Sequence, residues 1–344
     1  MVDALPHVIE AHLRIHGSAV ERVVFGLDDP STIARELDAW SRRHLGAAIR
    51  GAEFYRSSSG CVTGVNLSDG RAVVLKATSG RRPRAYLDAV HRARRHLHNS
   101  GLPCTIPLSE PQALGSAWVV AEPRLDVGVA ADPHQPAARA AIAAGLADLI
   151  EHARGCPDPE PLGRPWFSGL PEGRVFPRPH SPRFDFTATS AGAEWIDALA
   201  QEARTRRDEA QGQLSVGHFD WRVEHLRLDG QGVCAVYDWD SLHVALDTVA
   251  VGAAAPHFTC DWGRDDVPRV PTIETMRAFV SDYERARKLP FTRAERRTIA
   301  AAAVYGMAYS ARCNHAARPD HDGDDGDLRP LLARHGPTLL RDGL

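Results

Sequence analysis

The sequence predicts an α+β protein in which a small antiparallel sheet is followed by a larger, mostly helical region. Short apolar runs separated by turn residues occupy residues 53–123, as expected for neighbouring antiparallel strands. Apolar residues recur every three or four positions in 271–287 and 292–317, which indicates helices. With 344 residues and 43% hydrophobic content, the chain is long enough to bury the cores of two lobes.

The first 50 residues are predicted to form a helical extension. Residues 6–15 and 31–45 each place apolar side chains at helical spacing. Ser31 is expected to cap the second helix, because serine hydroxyls accept hydrogen bonds from the free amides at a helix start. The sequence of this extension contains no motif that indicates a catalytic or ligand-binding residue.

The predicted sheet begins with a three-stranded meander. Its strands lie at 54–55, 61–65 and 72–77, with a Ser-Asp-Gly turn at 68–70 before the third strand. Lys76 lies near the end of that third strand.

A helix and two more strands follow the meander. The helix is predicted over 84–99, because Gly101 and Pro103 come just after it and both are helix-stop signals. The two strands are predicted at residues 112–114 and 117–122.

Two further helices are predicted around a long irregular segment. The helices lie at 134–153 and 191–211, and residues 155–192 between them are rich in proline, glycine and aromatic residues. A structureless segment of this length is more often a functional loop or an insertion than part of a core. Residues 320–327 are predicted to form an acidic loop.

Composition restricts the class of protein. The 41 basic and 44 acidic residues give a net charge of −3, so no basic excess indicates nucleic acid as a partner. The six cysteines contain no C-x-x-C pair, which indicates reduced thiols. The N-terminus lacks a signal-peptide pattern, and no run approaches the roughly 20 apolar residues of a membrane helix. We therefore expect a soluble cytoplasmic protein without a membrane or nucleic-acid partner, either a monomer or a homodimer.

The strongest chemical signal lies in residues 216–242. His218 and Asp220 lie on a short polar loop, two apolar runs joined by the Asp-Gly-Gln-Gly turn 229–232 follow, and Asp238 comes at the far end. Such a hairpin brings Asp220 and Asp238 together, although 18 positions separate them. Neighbouring carboxylates raise each other's pKa unless a cation or a donor offsets them, so the pair indicates a divalent metal ion.

This order of elements resembles the protein-kinase-like fold, and more closely the aminoglycoside phosphotransferase and choline kinase family of small-molecule kinases. In that family a loop reads H-x-D-x-x-x-x-N, and a later strand ends in Asp followed by an aromatic residue. This chain has His218, Asp220 and Asp238-Trp239. The resemblance covers about residues 50–318.

The resemblance implies a two-lobed α+β fold. It places a helical N-terminal extension at 1–50, a nucleotide-binding N-lobe at 51–123 and a helical C-lobe with the catalytic loop and acceptor site at 124–344.

The resemblance also implies ATP (or GTP) as the co-substrate. Lys76 would pair with the α- and β-phosphates, and a Ser-rich loop would cover them with amides and hydroxyls. Backbone groups of the hinge strand would contact the adenine. The loop residues are Ser57, Ser58, Ser59 and Gly60, and the hinge residues include Val120 and Glu122.

Phosphoryl transfer requires cations around the transferring group and an acceptor hydroxyl held in line. By resemblance, Asp220 would orient the hydroxyl or accept its proton, and His218 would brace the loop. Asp238 would hold Mg²⁺, with Mn²⁺ as an alternative. The implied acceptor is a hydroxyl of a small polar molecule, such as an aminoglycoside or another antibiotic, a sugar or an amino alcohol.

The chain departs from the family pattern at two main places and at a minor third, the nucleotide loop, which has Ser where protein kinases have several Gly. His225 stands where the family has a metal-binding Asn, and imidazole suits transition metals better than Mg²⁺. Three explanations remain open: an altered metal preference, Glu224 as the oxygen ligand, or a kinase-like binding protein that no longer transfers phosphate. The second departure lies in the helix at 84–99, which should carry a Glu partner for Lys76 and has Asp88 as its only acid.

Three residues of the motif are candidates for substrate contacts: Arg222, Glu224 and Asp240. Arg222 is expected to pair locally with Glu224 and is also placed to reach a phosphate or an acidic substrate. Asp240 is either a second metal ligand or a residue that only fixes the loop.

Two sets of residues give opposite indications of the chemical character of the acceptor. The aromatic residues Trp166, Phe167, Phe184 and Phe186 indicate apolar contacts, whereas the acidic residues Asp320, Asp322 and Asp324 indicate affinity for positive charge.

Overall fold

The computed structural model describes residues 4–171, 173–320 and 323–344 and divides the chain into two compact units. The N-terminal unit consists of Met1–Arg95, Thr105–Asp126 and His180–Arg183, and the C-terminal unit contains the remaining residues. The small antiparallel sheet and the mostly helical second unit confirm the predicted α+β, protein-kinase-like fold class. No helix among the described residues combines the length and the apolar composition needed to cross a membrane.

The N-terminal unit is built on a five-stranded antiparallel sheet with the strand order β1-β2-β3-β5-β4. Its helices are α1 (Leu5–His16), α2 (Ala19–Val24), α3 (Pro30–Leu45) and α4 (Arg84–Asn99), the last of which the division into units cuts after Arg95. Its strands are β1 (Ile49–Ser57), β2 (Cys61–Leu67), β3 (Ala72–Ser79), β4 (Gln112–Leu114) and β5 (Ala117–Pro123).

The N-terminal extension is part of the core of this unit. Ile9 of α1 and Ile33 of α3 belong to the same buried apolar cluster as Val65 and Val119 of the sheet. The start of α3 corrects one prediction, because Asp29 and not Ser31 is the N-cap: its carboxylate accepts a hydrogen bond from the Thr32 amide.

Helix α4 carries a buried cation. The Arg94 guanidinium donates to the Glu122 carboxylate over 2.7 Å and to the Thr105 carbonyl over 2.9 Å. Asp88, the only acid of α4, accepts from Arg84 of the same helix at 2.8 Å. Helix α4, in which the resemblance predicts an acidic partner for Lys76, instead has a buried arginine, and this Arg94 binds Glu122 near the end of β5.

In the described residues of the C-terminal unit, six α-helices combine with two small sheets. The helices are α5 (Pro136–His152), α6 (Glu194–Asp208), α7 (Asp247–Ala254), α8 (Ile273–Arg287), α9 (Arg293–Ala317) and α10 (Arg329–Asp342). The strands are β6 (Leu214–His218), β7 (Leu226–Asp229), β8 (Gly232–Val236) and β9 (Leu242–Leu246).

The sequence does not predict β9, α7 or α10. Residues 242–254 are apolar almost throughout, so no helical or strand period is visible, and Pro337 lies inside α10. Helix α7 packs tightly on α9, since a Cβ on Gly252 would lie 2.4 Å from the Ile299 carbonyl oxygen. This close approach is possible because Gly252 has no side chain.

Candidate active site in the C-terminal unit

Two chain segments meet at the end of the β6–β9 sheet. Strand β6 ends at His218, which pairs with Leu242 at the start of β9, and the Phe219 amide donates to the Ser241 carbonyl over 2.9 Å. The β7–β8 hairpin returns the chain to the same place, where the Tyr237 amide donates to the His225 carbonyl over 2.8 Å. The loop after His218 and the segment after β8 therefore run side by side.

Asp220 and Asp238 lie close together, as the hairpin pattern predicts. His225 connects them: its Nε2 is 3.1 Å from Asp220 Oδ2 and 3.7 Å from Asp238 Oδ2. Asp238 has a left-handed backbone, with φ 58° and ψ 48°, which is uncommon for a residue other than glycine. Such strain is frequent at functional sites, where the surrounding structure imposes it.

His218 is a buried, neutral brace for this loop. Its Nδ1 accepts a hydrogen bond from the Asp220 amide at 3.2 Å, so Nε2 carries the proton and donates to the Tyr237 carbonyl at 3.2 Å. The Trp221 and Trp239 rings pack edge-on around it at 5.7 and 5.9 Å. Burial lowers the pKa of His218 to about 4, which keeps the ring uncharged. One side chain thus ties the Asp220 segment to the Asp238 segment.

Asp220 is held in its ionised form. Burial acts to raise its pKa, but the positive charge of Arg222 outweighs burial and holds the pKa of Asp220 well below its usual range. Arg222 Nε lies 3.3 Å from Asp220 Oδ1. About one third of the Asp220 side chain is exposed, at 34%, so the carboxylate is accessible to a ligand.

Arg222 lies among three acceptors. Its Nε donates to His225 Nε2 at 2.9 Å, and its Nη2 is 3.5 Å from Glu224 Oε2, as the predicted local ion pair requires. Burial opposes the charge of Arg222, but the carboxylates of Asp220 and Glu224 raise its pKa further above the ordinary arginine value. Glu224 Oε2 is buried and accepts no hydrogen bond within the described parts of the chain.

The donor set around His225 fits a divalent cation. One ligand atom each from Asp220, His225 and Asp238 lies within 4.8 Å of the others. Together with Glu224 and Arg222, the cluster contains three carboxylates and one guanidinium, which leaves two negative charges for a dication to balance. Asp240 lies nearby in sequence, in the 3₁₀ turn Trp239–Ser241, and is partly buried.

The residues predicted to bind nucleotide lie in the N-terminal unit. Lys76 on β3 pairs in register with Val120 on β5, and Glu122 lies two residues further along β5. The Glu122 side chain is engaged by Arg94, as described above, and its backbone lies in the β3–β5 ladder opposite Val74.

The turn between β1 and β2 holds the Ser-rich loop. Ser58 donates its amide to the Gly60 carbonyl over 3.0 Å, and a Cβ on Gly60 would lie 2.7 Å from the Ala77 carbonyl oxygen, so the turn lies directly on β3. The exposed Ser58 and Ser59 side chains face solvent. Ser57 is buried, and its Oγ is 2.9 Å from His12 Nε2.

Sequence reasoning missed His12. It lies on α1, 45 positions before Ser57, and burial lowers its pKa to about 4. No local pattern marks such a residue, because its role depends on where α1 packs. The N-terminal extension thus contributes a side chain to the phosphate-loop candidate.

An aromatic cluster adjoins the loop that follows His218. Phe167 is 5.9 Å from Phe219, the neighbour of Asp220, and Trp166 packs against Phe167 at 5.0 Å and against Tyr309 of α9 at 4.5 Å. Phe186 joins the same cluster, 5.9 Å from Tyr309. Trp166 is 43% exposed, so the cluster opens to solvent at this ring.

Three carboxylates of the acidic loop, those of Asp324, Asp325 and Asp327, pair with arginines. Asp325 pairs with Arg269 at 2.9 Å, and Asp327 pairs with Arg329 at 2.7 Å. Asp324 pairs with Arg318, and Asp322 lies outside the described residues. These ion pairs weaken the case for a loop that attracts a cationic acceptor.

The fold and this site define a class of protein. A small antiparallel sheet with a strand-borne Lys76, and a helical unit carrying the paired Asp220 and Asp238, are the parts of a kinase-like phosphotransferase that acts on small molecules. The sequence matches the phosphotransferase enzyme family over residues 64–302, and the chain belongs to that family.

Solved structures of small-molecule kinases share the fold. An amicoumacin kinase in complex with AMP-PNP, Ca²⁺ and its antibiotic superposes with a TM-score of 0.61 at 13% identity, covering 84% of this chain and 88% of that one. A spectinomycin phosphotransferase gives 0.54 at 11% identity, with 89% and 94% covered. A macrolide 2′-phosphotransferase type I gives 0.51 at 16%, with 90% and 97% covered. No curated protein matches the sequence.

Proposed function

We propose that this chain transfers the γ-phosphoryl group of ATP or GTP to a hydroxyl group of a small polar molecule. The observation that carries the proposal is the ionised Asp220 carboxylate, 3.1 Å from His225 and in one cluster with Asp238. Phosphoryl transfer depends mainly on placement and electrostatics, and this cluster can supply both an acceptor for a hydroxyl proton and ligands for a cation.

Asp220 orients the acceptor. Its ionised carboxylate accepts a hydrogen bond from the attacking hydroxyl, which directs an oxygen lone pair at the γ-phosphorus. The new O–P bond forms as the bond from the γ-phosphorus to the β,γ-bridging oxygen breaks. The hydroxyl proton passes to the Asp220 carboxylate, and the nucleoside diphosphate leaves. His218 keeps Asp220 in place through the Asp220 amide.

Asp238 and His225 are proposed as the cation ligands. A divalent cation held there would neutralise phosphate charge during transfer, as the family resemblance implies for Mg²⁺. The amicoumacin kinase structure contains a nucleotide analogue together with Ca²⁺, which supports a metal-nucleotide co-substrate. Arg222 provides a further fixed positive charge beside the same carboxylates.

The N-terminal unit is proposed to bind the nucleotide. Lys76 pairs with the phosphates, and the turn from Ser57 to Gly60 offers backbone amides and the exposed hydroxyls of Ser58 and Ser59. The Ser57 hydroxyl is bonded to His12, so it positions the turn from within the unit. The β5 backbone around Val120 and Glu122 is the proposed contact for the base.

The first test is a reaction with purified protein, ATP or GTP, and Mg²⁺, Mn²⁺ or Co²⁺ in separate incubations. The acceptor panel contains aminoglycosides, macrolides, sugars and amino alcohols, and products are detected by mass spectrometry. We expect at least one acceptor to gain one phosphoryl group in a reaction that requires both nucleotide and cation. Nucleotide binding without any phosphorylated product would instead support a kinase-like binding protein.

The acceptor is proposed to present an apolar or planar face to Trp166. The ring is 43% exposed, and it belongs to the aromatic cluster that reaches Phe219 beside Asp220. A compound with an apolar or planar face therefore fits this region.

Replacing Trp166 by alanine is expected to raise the acceptor KM about tenfold, which corresponds to about 1.4 kcal/mol of lost stacking, with little change in kcat. Trp195→Ala is the matched control, because Trp195 is exposed to a similar degree (38%) on α6. The measurement is steady-state kinetics with the acceptor found above. Equal KM values for wild type and the Trp166 variant would remove this ring from the acceptor site.

A further inference from the structure

His225 gives the proposed metal site a nitrogen ligand. We propose that the Asp238–His225 pair binds late first-row dications, with Co²⁺ as the probe, in preference to Mg²⁺. The proposal rests on the assignment of this cluster to the phosphotransferase site. It names a ligand chemistry that the family resemblance does not supply, because the family has an amide oxygen donor at this position.

The orientation of the His225 ring is the first support. Arg222 Nε lies 2.9 Å from His225 Nε2, and an arginine N–H can only donate. Nε2 is therefore the acceptor, its lone pair points into the cluster, and the ring proton is on Nδ1. A neutral imidazole is the form that ligates metals, once its Nε2 lone pair exchanges the Arg222 N–H for the cation.

The contact with Asp220 is the second support. With the ring proton on Nδ1, His225 Nε2 and Asp220 Oδ2 face each other at 3.1 Å as two acceptors. Two facing acceptors repel, and a cation next to both removes the repulsion. The positive charge of the Arg222 guanidinium offsets part of this repulsion. A metal ion with two positive charges would offset more of it.

The spacing is the third support. Atoms that ligate one ion at about 2.0–2.2 Å and about 90–110° from each other lie about 3.0–3.5 Å apart. His225 Nε2 lies 3.7 Å from Asp238 Oδ2, close to this range, so a small adjustment of one side chain makes both ligands of one ion. Arg222 keeps its contacts to Asp220 Oδ1 and Glu224 when Nε2 turns to the metal.

The backbone holds the ring in place. The His225 amide donates to the Arg222 carbonyl over 2.9 Å, and its carbonyl accepts from Tyr237 over 2.8 Å. The ligand is thus fixed to both segments of the site. Imidazole prefers later transition ions, whereas Mg²⁺ takes oxygen ligands and keeps its waters.

The test measures metal binding alone, without nucleotide or acceptor, on tag-free full-length protein. Calorimetric titrations with Co²⁺ and with Mg²⁺ give the affinity ratio for wild type, His225→Asn and His134→Asn. Asparagine offers an amide oxygen where the imidazole was. His134 is the control, since the same replacement is made in the same unit at a ring bonded to the Pro268 carbonyl.

We expect His225→Asn to weaken Co²⁺ binding at least tenfold and to leave Mg²⁺ binding equal or tighter, while His134→Asn changes neither. A ratio that is the same in wild type and His225→Asn would overturn the proposal. Any site for divalent cations favours Co²⁺ over Mg²⁺ to some extent. The proposal is therefore tested by the change in the Co²⁺/Mg²⁺ affinity ratio between wild type and variant, and not by the ratio in wild type alone.

A second readout needs no variant. Proton NMR of the Co²⁺-loaded wild type should show a strongly shifted, exchangeable imidazole N–H resonance from Nδ1 of the ligating ring. Its absence at saturating Co²⁺ would overturn the proposal even if His225→Asn failed to fold. Metal binding with this signature in a protein that phosphorylates nothing would separate this inference from the proposed function.

Discussion

Replacing Asp220 by asparagine is expected to lower kcat by about 10²–10⁴, the usual contribution of a general base. Asparagine keeps the size of the side chain and removes the charge that accepts the hydroxyl proton. Because the lost interaction forms with the reacting hydroxyl, nucleotide affinity should change by less than a few fold. Steady-state kinetics gives the first quantity, and calorimetric titration with a non-hydrolysable nucleotide gives the second.

Asp229→Asn is the matched control for this variant. Asp229 lies at the turn of the neighbouring hairpin, where its carboxylate accepts from the Gln231 amide, so the same chemical change is made outside the cluster. The control should retain wild-type kcat. An Asp220→Asn enzyme with more than about a tenth of wild-type kcat would contradict the assignment of Asp220 as the base.

Replacing Asp238 by asparagine is expected to lower kcat/KM by at least about 10², and to raise the cation concentration needed for half-maximal rate. The replacement removes the charge of the proposed ligand oxygen, which lies 3.7 Å from His225 Nε2. Rates measured across a series of Mg²⁺ and Co²⁺ concentrations give the effect. A variant with unchanged cation dependence would show that Asp238 does not bind the cation.

Comparison with Asp238→Ala separates charge from backbone strain. Asp238 has positive φ, a conformation that Asn and Asp tolerate better than Ala. Asp238→Asn should therefore melt near the wild-type temperature, whereas Asp238→Ala should melt lower, and both should lose activity. If the asparagine variant alone were active, the backbone conformation and not the carboxylate would be the requirement at this position.

Comparison with the fold shows which elements can be predicted from sequence signals that lie within a few residues. Helix α4 has the predicted bounds 84–99, because its stop signals at Gly101 and Pro103 act within a few residues. Strands β2 and β3 were predictable for the same reason, since alternation and turn residues are visible in short windows. Strand β9 and helix α7 were not predictable, because residues 242–254 are apolar at most positions and show no period that distinguishes a strand from a helix.

Some contacts of the candidate site were likewise predictable from the sequence, and others were not. The spacing of His218, Asp220 and Asp238 around a hairpin predicted that two carboxylates meet, and the structure brings them together through His225. The Glu224 pairing of Arg222 was also expected, because the two residues are two positions apart. The contact of Arg222 with the His225 ring was not expected, since it depends on the 3₁₀ turn at 223–225.

By itself, the sequence determined the order of the elements, the phosphotransferase motif and the unusual histidine at position 225. Only the tertiary structure decided that His12 bonds to Ser57 and that Arg94 binds Glu122. It also decided that Asp325 of the acidic loop pairs with Arg269, 56 positions before it. The physical reason is distance along the chain: hydrogen bonds and ion pairs between remote residues depend on how whole elements pack, and local patterns carry no information about that packing.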